Sequence, residues 1–419
     1  MMKKVFGKIL ALALCASSVF SIAACGETGG TSAGNGSGDK IELLVWGSQN
    51  DQFMLGEMAE AFKAANPDKK YDIKFGVVGE SDTKAKLATD ITTGADVFSF
   101  PNDQLRDMVT AGMLYEVAEG STFHTFVTES NMESSVEAVT YENKLYGFPS
   151  TADNTFYLFY DKTTYSESDL GSMEAILAKA TATNRFFMDL SNGWYLASFF
   201  LTAGGTMSVT AEGKQDLIDF DSDAAISAMQ VANQVAKDDG FVTGDDAVLT
   251  GAFGHDASKG QNIGCAVTGI WNKSALEKAV GGAENLGFMK LPTIKVLGED
   301  KQMISFGGYK AIGINRTCKN PAEAMKFAQF ITNYENQVKR YNDRGFAPSN
   351  KQAAAHADVL ADPSIAALST QMGYTYPQNS VVSSFWTPAE AVGLELEKKT
   401  VEDSKLPDLI ADMITKIEA

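Results

Sequence analysis

Between residues 40 and 94, segments with the hydrophobic pattern of a strand alternate with segments that have the pattern of a helix. The runs KIELLVW (40–46) and YDIKFGVV (71–78) are short, apolar and rich in β-branched or aromatic residues, as strands are. Between them, apolar side chains recur at helical spacing: Met54, Met58 and Phe62. A second helical pattern containing Leu87 and Ile91 ends at Gly94. This alternation predicts an α/β lobe with a largely parallel sheet.

The stretch YENKLYGFPSTADNTFYLFYDK (141–162) changes this pattern. Aromatic, strand-like segments flank a polar centre, and Pro149 removes a ladder donor where residues 150–154 are small and polar. We therefore expect the buried strand to break at Pro149 and to restart near Phe156. A strand that ends in one sheet and is followed, after a short crossing, by a strand of another sheet is expected at a hinge between two lobes.

The second half predicts a further α/β lobe. Its expected elements are a helix at 171–180, a strand, bend and helix at 186–205, a capped helix at 220–240, a Gly/Asp-rich surface loop at 243–262, and strands at 262–271, 286–292 and 305–315. Two later helices are expected to start with a cap, a proline and an acid, after Asn320 and after Thr387.

The segment GADVFSFPNDQLRDMVTAGML (94–114) places an acid where ligands often bind. A buried strand breaks at Pro101, and Asn102 is expected to cap a helix that runs to Gly112. Asp103 would then be exposed in the first helical turn, at the carboxyl end of a strand. The same residue could instead only complement the helix dipole, and the pattern leaves both roles open.

Four tryptophans are present, and each ends an apolar segment beside a polar turn: Trp46, Trp194, Trp271 and Trp386. A tryptophan in such a position can serve either the core or a cleft, and Trp386 could simply staple the helix that follows it. Four tryptophans in such positions together favour a cleft lined by indole rings. Sugar rings suit such a surface, because their C–H faces pack on indoles and their hydroxyls bind carboxylates and amides such as Asp103, Asp153 and Asn154.

Length and charge narrow the class of protein. A chain of 419 residues exceeds what one core usually supports, so two domains are expected. The formal net charge is −18, and removing the three lysines of the first 24 residues leaves −21, which argues against nucleic acid or an anionic membrane surface as partner. No nucleophile elbow, phosphate loop or zinc motif is present, and His124, His255 and His356 have no metal-ligand spacing. We expect neither an enzyme nor a cofactor.

The N-terminus predicts export. Lysines precede an apolar run too short for an ordinary membrane anchor, and the run ends in IAAC at Cys25, so residues 1–24 read as a signal peptide. This ending resembles that of bacterial lipoproteins, which implies lipidation of Cys25; a non-lipidated signal peptide cleaved elsewhere is the alternative. A Gly/Ser-rich tether follows to residue 39. Once Cys15 is removed, Cys265 and Cys318 remain, and we expect both to be buried and unpaired, because a bond between lobes would lock the hinge.

The order of several segments resembles the bacterial extracellular solute-binding proteins, in particular the maltose/maltodextrin-binding lipoproteins of ABC sugar importers. The similar segments are VWG, GADVFSFPNDQL, KLYGFP, WYLASFFLTAGG, GIWNKS, LGFMKLP and FWTPAEAV. The resemblance covers residues 40–419 and implies a type II two-lobed periplasmic-binding-protein-like fold. It places Asp103 and Asp153 at positions that accept sugar hydroxyls, Trp194, Trp271 and Trp386 at stacking positions, and Trp46 near the cleft.

Together these observations predict a monomeric, lipid-anchored protein on the extracytoplasmic face that binds an oligosaccharide, most simply a maltodextrin, and delivers it to an ABC permease. The expected lobes are 40–151 with 306–355 and 152–305 with 356–419. The resemblance departs at Phe100, Gln104 and Asp153, where the family has other side chains, which leaves the length and linkage of the sugar open. The alternatives are a binding protein for another sugar, such as a galactoside or a xylo-oligosaccharide, a binding protein for a peptide or polyamine, and a secreted glycan-active enzyme.

Overall fold

The computed structural model describes residues 40–210 and 214–418. The predicted signal peptide, Cys15, Cys25 and the tether lie outside this range. The strands are β1 (Ile41–Gly47), β2 (Tyr71–Val77), β3 (Val97–Pro101), β4 (Thr140–Tyr141), β5 (Lys144–Leu145), β6 (Phe148–Thr151), β7 (Tyr157–Asp161), β8 (Arg185–Phe187), β9 (Met207–Val209), β10 (Gln215–Ile218), β11 (Phe241–Val242), β12 (Ile263–Thr268), β13 (Leu286–Met289), β14 (Thr293–Val296), β15 (Glu299–Gln302), β16 (Ser305–Gly307), β17 (Lys310–Ile314) and β18 (Thr375–Pro377).

The α-helices are α1 (Gln52–Ala65), α2 (Thr83–Thr89), α3 (Leu105–Thr110), α4 (Thr122–Ser130), α5 (Glu133–Glu137), α6 (Met173–Lys179), α7 (Gly193–Thr202), α8 (Asp223–Lys237), α9 (Asp246–Ala252), α10 (Lys273–Ala279), α11 (Pro321–Ile331), α12 (Tyr334–Arg344), α13 (Lys351–Ala354), α14 (Ala357–Ala361), α15 (Pro363–Met372), α16 (Trp386–Glu397) and α17 (Leu406–Glu418). None of the helices in the described ranges is long and apolar enough to cross a bilayer.

The first lobe is built on a five-stranded sheet in the order β2-β1-β3-β17-β6. Strands β2, β1 and β3 are parallel, as the strand–helix alternation predicted, but β17 runs antiparallel to both of its neighbours, β3 and β6, and makes the sheet mixed. Helix α1 buries Met54, Met58 and Phe62 in the core of this lobe, together with apolar side chains of α11. The predicted helical face of α1 is therefore confirmed.

The second lobe is built on a separate five-stranded sheet in the order β11-β8-β12-β7-β13. Strands β11, β8 and β12 are parallel, whereas β7 and β13 are antiparallel to their neighbours. Helices α7, α8 and α16 pack together and bury their apolar faces in this core. The two sheets confirm the two-lobed α/β architecture, and the exact residue division given above stays a prediction.

The chain passes between the two sheets where the sequence pattern broke. Strand β6 belongs to the first sheet and β7 to the second, so residues 152–156 form one crossing. The predicted strand break at Pro149 was wrong, because β6 continues through Pro149 to Thr151, and all of its residues are buried. Since β6 is the last strand of its sheet, the missing proline N–H can face away from the ladder at little cost.

Further boundaries differ from the predictions for local physical reasons. Helix α2 ends at Thr89, so Ile91 lies in the turn after it. The expected loop at 243–262 contains α9, which Asp245 caps by accepting hydrogen bonds from two backbone N–H groups. The single strand expected at 305–315 is two strands, β16 and β17, separated by Gly308 and Tyr309.

The two later helix starts also differ. Asn320 makes no side-chain cap, and Glu323 bonds Lys69 and Tyr71 instead of reaching back, although Pro321 does occupy the first turn. Helix α16 begins at Trp386 itself, after a short 3-10 turn, so Thr387 is not its cap. Both cysteines are unpaired as predicted: Cys265 is buried in β12 and Cys318 is partly buried in the first lobe.

Candidate functional site

Trp194 and Trp271 form an aromatic pair on the second lobe. Their ring centroids lie 5.8 Å apart, and the two planes are inclined by 41°. Trp194 opens α7, where Asn192 accepts a hydrogen bond from its backbone N–H, and its ring also packs edge-on against Phe156 at 4.7 Å. Both indoles are half-buried, and the Trp194 Nε1 atom is sealed from solvent without a hydrogen-bond partner. Two adjacent indoles with exposed area are a platform for a flat apolar ligand face.

Local backbone features fix the position of Trp271. The ring lies so close to the chain that a Cβ on Gly269 would come within 1.9 Å of it, so only glycine fits there. The Trp271 Nε1 donates a hydrogen bond of 3.1 Å to Asp246, whose other oxygen accepts from Asn272 at 2.7 Å. Asp246 opens α9, which the sequence had suggested was a loop. The indole is therefore held in orientation from both sides.

Trp386 lies next to this pair through the packing of α16 on α7. A Cβ on Gly193 would lie 3.1 Å from the Trp386 carbonyl oxygen, so the starts of the two helices touch at this glycine. The Trp386 ring packs edge-on against Phe385 and against Phe306 of β16, at 5.3 and 5.8 Å. The packing of α16 against α7 thus brings its first residue beside Trp194.

Lys310 connects the aromatic pair to the first lobe. It is the first residue of β17, only 7% exposed, and its Nζ lies 5.1 Å from the Trp271 ring centroid and 5.2 Å from that of Phe346. Asp153 is fully buried nearby and accepts hydrogen bonds from the Thr151 hydroxyl at 2.6 Å and the Ala347 N–H at 2.9 Å. Burial raises the pKa of the Asp153 carboxyl, and the positive charge of Lys310 acts in the opposite direction.

Asp103 and Asn154 meet at Gln378, just after β18. The Asn154 amide donates to the Gln378 oxygen at 2.8 Å, and the Gln378 side chain hydrogen-bonds to the Asp103 carboxyl. Gly308 lies at the centre of this group, since a Cβ there would come within 2.7 Å of the Asn102 oxygen and 3.2 Å of the Asn154 amide nitrogen. Three polar side chains, those of Asn102, Asn154 and Gln378, thus converge around one glycine.

The expected exposure of Asp103 was wrong. The residue is half-buried, and its Oδ1 is sealed from solvent and has no hydrogen-bond partner. Burial raises the pKa of this carboxyl to about 7. Asn102 does not cap the following helix with its side chain, because its Oδ1 accepts from the Tyr309 N–H at 2.9 Å. An under-bonded carboxyl in this position can accept a hydroxyl hydrogen.

Trp46 lies apart from the other tryptophans. It is 8% exposed at the end of β1, and its Cδ1 would be 2.8 Å from a Cβ on Gly76 of the neighbouring strand. Its ring borders a narrow internal cavity together with Asp51 and Arg340. Asp51 accepts a hydrogen bond of 2.8 Å from Arg344, whose guanidinium lies over Phe346. Trp46 therefore reaches the Lys310 region only through this ion pair.

Comparison with known proteins agrees with the two-lobed architecture. Residues 57–367 match the family of bacterial extracellular solute-binding proteins. The chain belongs to this family. A galactooligosaccharide-binding protein of Bacillus subtilis is 26% identical, over 90% of this chain and 89% of that protein. A maltooligosaccharide ABC transporter solute-binding lipoprotein of Streptococcus pneumoniae is 25% identical, over 88% of this chain and 87% of that protein.

A solved structure described as being with acarbose is 30% identical to this solute-binding protein, with a TM-score of 0.80 over 90% of this chain and 99% of that one. Among the predicted site residues, Trp194 contacts Trp271 directly, and Trp386 lies near Trp194 through the packing of α16 on α7. Asp153 lies near Lys310, and Asn154 and Asp103 lie near Gln378. Their role in binding a ligand stays a prediction. The sequence reading missed Lys310, Asp246 and Gln378. A lysine at the head of an apolar strand was a detectable signal for Lys310, whereas nothing local singled out Gln378.

Proposed function

We propose that this solute-binding protein captures an oligosaccharide between its two lobes and delivers it to an ABC permease. The single observation that carries the proposal is the Trp194–Trp271 pair, 5.8 Å apart beside polar groups from both lobes. Trp386, Asp103, Asp153 and Asn154 complete the proposed site, and Trp46 is assigned to its first-lobe wall. The protein would act as a monomer, without a cofactor, held on the extracytoplasmic face by lipid on Cys25.

The geometry suits a saccharide better than a wholly apolar or highly charged solute. Indole faces take up the C–H face of a pyranose ring, and carboxylate and amide groups bind its hydroxyl rim. The 41° angle between the two indoles fits a ligand that bends from one ring to the next. An α-1,4-linked glucan bends in this way, and an extended β-linked chain does not, so we place malto-oligosaccharides first.

The relatives support more than one sugar. One is named for galactooligosaccharides and another for maltooligosaccharides, at nearly equal identity to this chain. The galactoside is therefore the second candidate within the same function. The two differ in linkage and in one hydroxyl orientation, which polar contacts around Asp103 and Asn154 would read.

Ligand capture would couple to the angle between the lobes. Side chains of the proposed site come from both lobes, since Asp103 follows β3 of the first sheet and Trp271 follows β12 of the second. A ligand that touches both therefore binds the closed form more tightly than an open one. The closed form would then present the surface that the permease recognises. Differential affinity for the two forms is the only source of such a shift.

The first experiment is a titration followed by intrinsic tryptophan fluorescence. The arms are malto-oligosaccharides, galacto-oligosaccharides, xylo-oligosaccharides and polyamines, and the proposal expects saturable quenching or enhancement with one of the first two. Binding of polyamines alone would replace the sugar proposal by a cationic solute. Release of reducing ends during incubation with starch oligosaccharides would indicate an enzyme instead.

The decisive variant is Trp271→Ala, measured by calorimetry with the sugar that binds. Losing a central tryptophan platform typically costs about 2 kcal/mol or more, so we expect the affinity to fall at least about 30-fold. The melting temperature should change little, because Trp271 is half-buried. Leu297→Ala, at an exposed hairpin tip, is the matched control and should bind like wild type. Unchanged affinity of Trp271→Ala would contradict the stacking argument.

A further inference from the structure

Lys310 is a cation in an unusual place. The residue is 7% exposed, yet in the described part of the chain no carboxylate lies within ion-pair distance of its ammonium, and no hydrogen bond is made by it. A nearly buried lysine without protein acceptors is costly, because its ammonium loses part of its hydration and gains no partner of equal strength. The two flanking rings, Trp271 and Phe346, return only part of this cost through cation–π attraction.

The surroundings explain why the ammonium keeps its place. Strand β17 pairs with β3 on one side and with β6 on the other, and the ladder with β6 is irregular between Lys310 and Ala311. This irregularity lies at the point where the side chain leaves the first sheet. Phe346 also carries the Arg344 guanidinium at 5.0 Å, but Arg344 is paired with Asp51. Of the two cations beside Phe346, Arg344 and Lys310, only Lys310 therefore still has N–H donors available to a ligand.

We propose that Lys310 is a ligand-binding residue whose ammonium donates hydrogen bonds to hydroxyl oxygens of the sugar ring that stacks on Trp271. The inference rests on the proposed oligosaccharide function and adds to it a specific donor from the first lobe. Three N–H donors next to an indole face would reach the rim of a ring lying on that face. Asp153 would attract the ammonium over a longer range without consuming its donors, since the two groups form no ion pair and Asp153 accepts hydrogen bonds from Thr151 and Ala347 instead.

This arrangement also gives Lys310 a role in specificity. Carboxylates such as Asp103 accept hydrogen from a hydroxyl, whereas Lys310 can only donate to the hydroxyl oxygen. A sugar hydroxyl does both, so a site with acceptors and a donor fixes the direction of the hydroxyl hydrogens. A sugar that lacks the matching oxygen would leave the ammonium unpaired, and it would be rejected more strongly than one that lacks an apolar contact.

The test compares Lys310→Met with wild type, using maltotriose and a galactotriose as probes. Methionine keeps the length of the side chain and removes the donors, so affinity should fall about 10- to 100-fold, the usual effect of losing a hydrogen bond to a charged group. Lys310→Arg should recover part of the affinity. Lys295→Met, which removes an exposed lysine on the β14–β15 hairpin, controls for net charge and should bind like wild type.

Monodeoxy analogues of the bound sugar separate contact from structural support. For wild type, one deoxy analogue should bind more weakly than the parent sugar. For Lys310→Met, the same analogue and the parent sugar should bind equally, because the hydrogen bond between that sugar oxygen and the ammonium is already lost. The free variant should melt within a few degrees of wild type. If methionine prevents folding, Lys310→Leu, which also lacks donors, serves for the same cycle.

The binding of Lys310→Met decides between the outcomes. If the variant binds as tightly as wild type or more tightly, the role of Lys310 is overturned and the proposed function still stands. Tighter binding would show that the ammonium obstructs the indole face. Additive losses for every deoxy analogue also overturn that role, because they place no sugar oxygen at the ammonium. If wild type binds neither sugar, the proposed function fails, and this inference falls with it.

Discussion

The raised pKa of Asp103 predicts how the stability of the free protein depends on pH. A carboxyl whose pKa is higher in the folded than in the unfolded state binds more protons when folded, so its contribution to stability is fully present at low pH. That contribution is lost as the pH rises from about 4, the unfolded value, through about 7, the folded value. Asparagine has the shape of the protonated carboxyl and does not titrate. Asp103→Asn should therefore become more stable than wild type as the pH rises.

The size of this change in unfolding free energy follows from the pKa shift of Asp103. About three pKa units correspond to about 4 kcal/mol at full burial. Asp103 is half-buried, so solvent reduces what remains of this energy when the side chain relaxes. We expect the difference in unfolding free energy between variant and wild type to grow by about 2 kcal/mol between pH 4.5 and pH 8, and then to level off.

The assay is urea denaturation of both proteins at half-unit pH steps, with the difference plotted against pH. Other titrating groups, such as Asp189, whose pKa burial raises to about 6, are common to both proteins and cancel in the difference. A difference that stays flat across pH 4.5 to 8, or that falls, would refute the reasoning that burial of Asp103 governs its pKa. Sugar affinity of the variant is a separate readout and should fall, because asparagine offers one acceptor where the carboxylate offers two.

Two further predictions concern stability away from the aromatic pair. Gly393→Ala in α16 should lower the free energy of unfolding by more than about 2 kcal/mol in urea denaturation, because the added Cβ would lie 1.8 Å from the Leu190 carbonyl oxygen. Gly56→Ala in α1 is the control: its Cβ meets nothing within 4 Å, so the free energy of unfolding should rise by up to about 1 kcal/mol. Asp51→Asn should cost about 3 kcal/mol, since it leaves the nearly buried Arg344 guanidinium without its carboxylate. Equal stability of the two alanine variants, or of Asp51→Asn and wild type, would contradict these contacts.

The fold was readable from the sequence wherever one face of an element is buried. Met54, Met58 and Phe62 repeat at helical spacing because they fill the core of the first lobe, and their period fixes α1 almost to the residue. The pattern failed where burial is nearly complete, as in β6, because a strand buried on both faces has no alternation to read. It also failed at α9, whose capping Asp245 resembles an ordinary loop aspartate until the helix is seen.

The site was only partly readable, because its geometry depends on residues far apart in the chain. Gln378 joins Asn154 across 224 positions, and no local pattern announces such a pair. The exposure of Asp103 was misjudged for the same reason: the strand-to-helix turn predicts an open carboxyl, and the residues that cover it come from the other lobe. Lys310 differs, because a charge at the head of an apolar strand contradicts its surroundings and can be noticed without coordinates.

The polar part of the proposed site and the connections between the lobes are largely the same residues. Asp153 and Asn154 lie in the crossing from β6 to β7. Lys310 begins β17, directly after the two residues that separate it from β16, and Gln378 follows β18, which pairs with β16. A ligand that binds these groups therefore acts on the segments whose backbone angles set the lobe orientation. Coupling between binding and closure then needs no relay through either core, since the differential contacts and the flexing segments are adjacent.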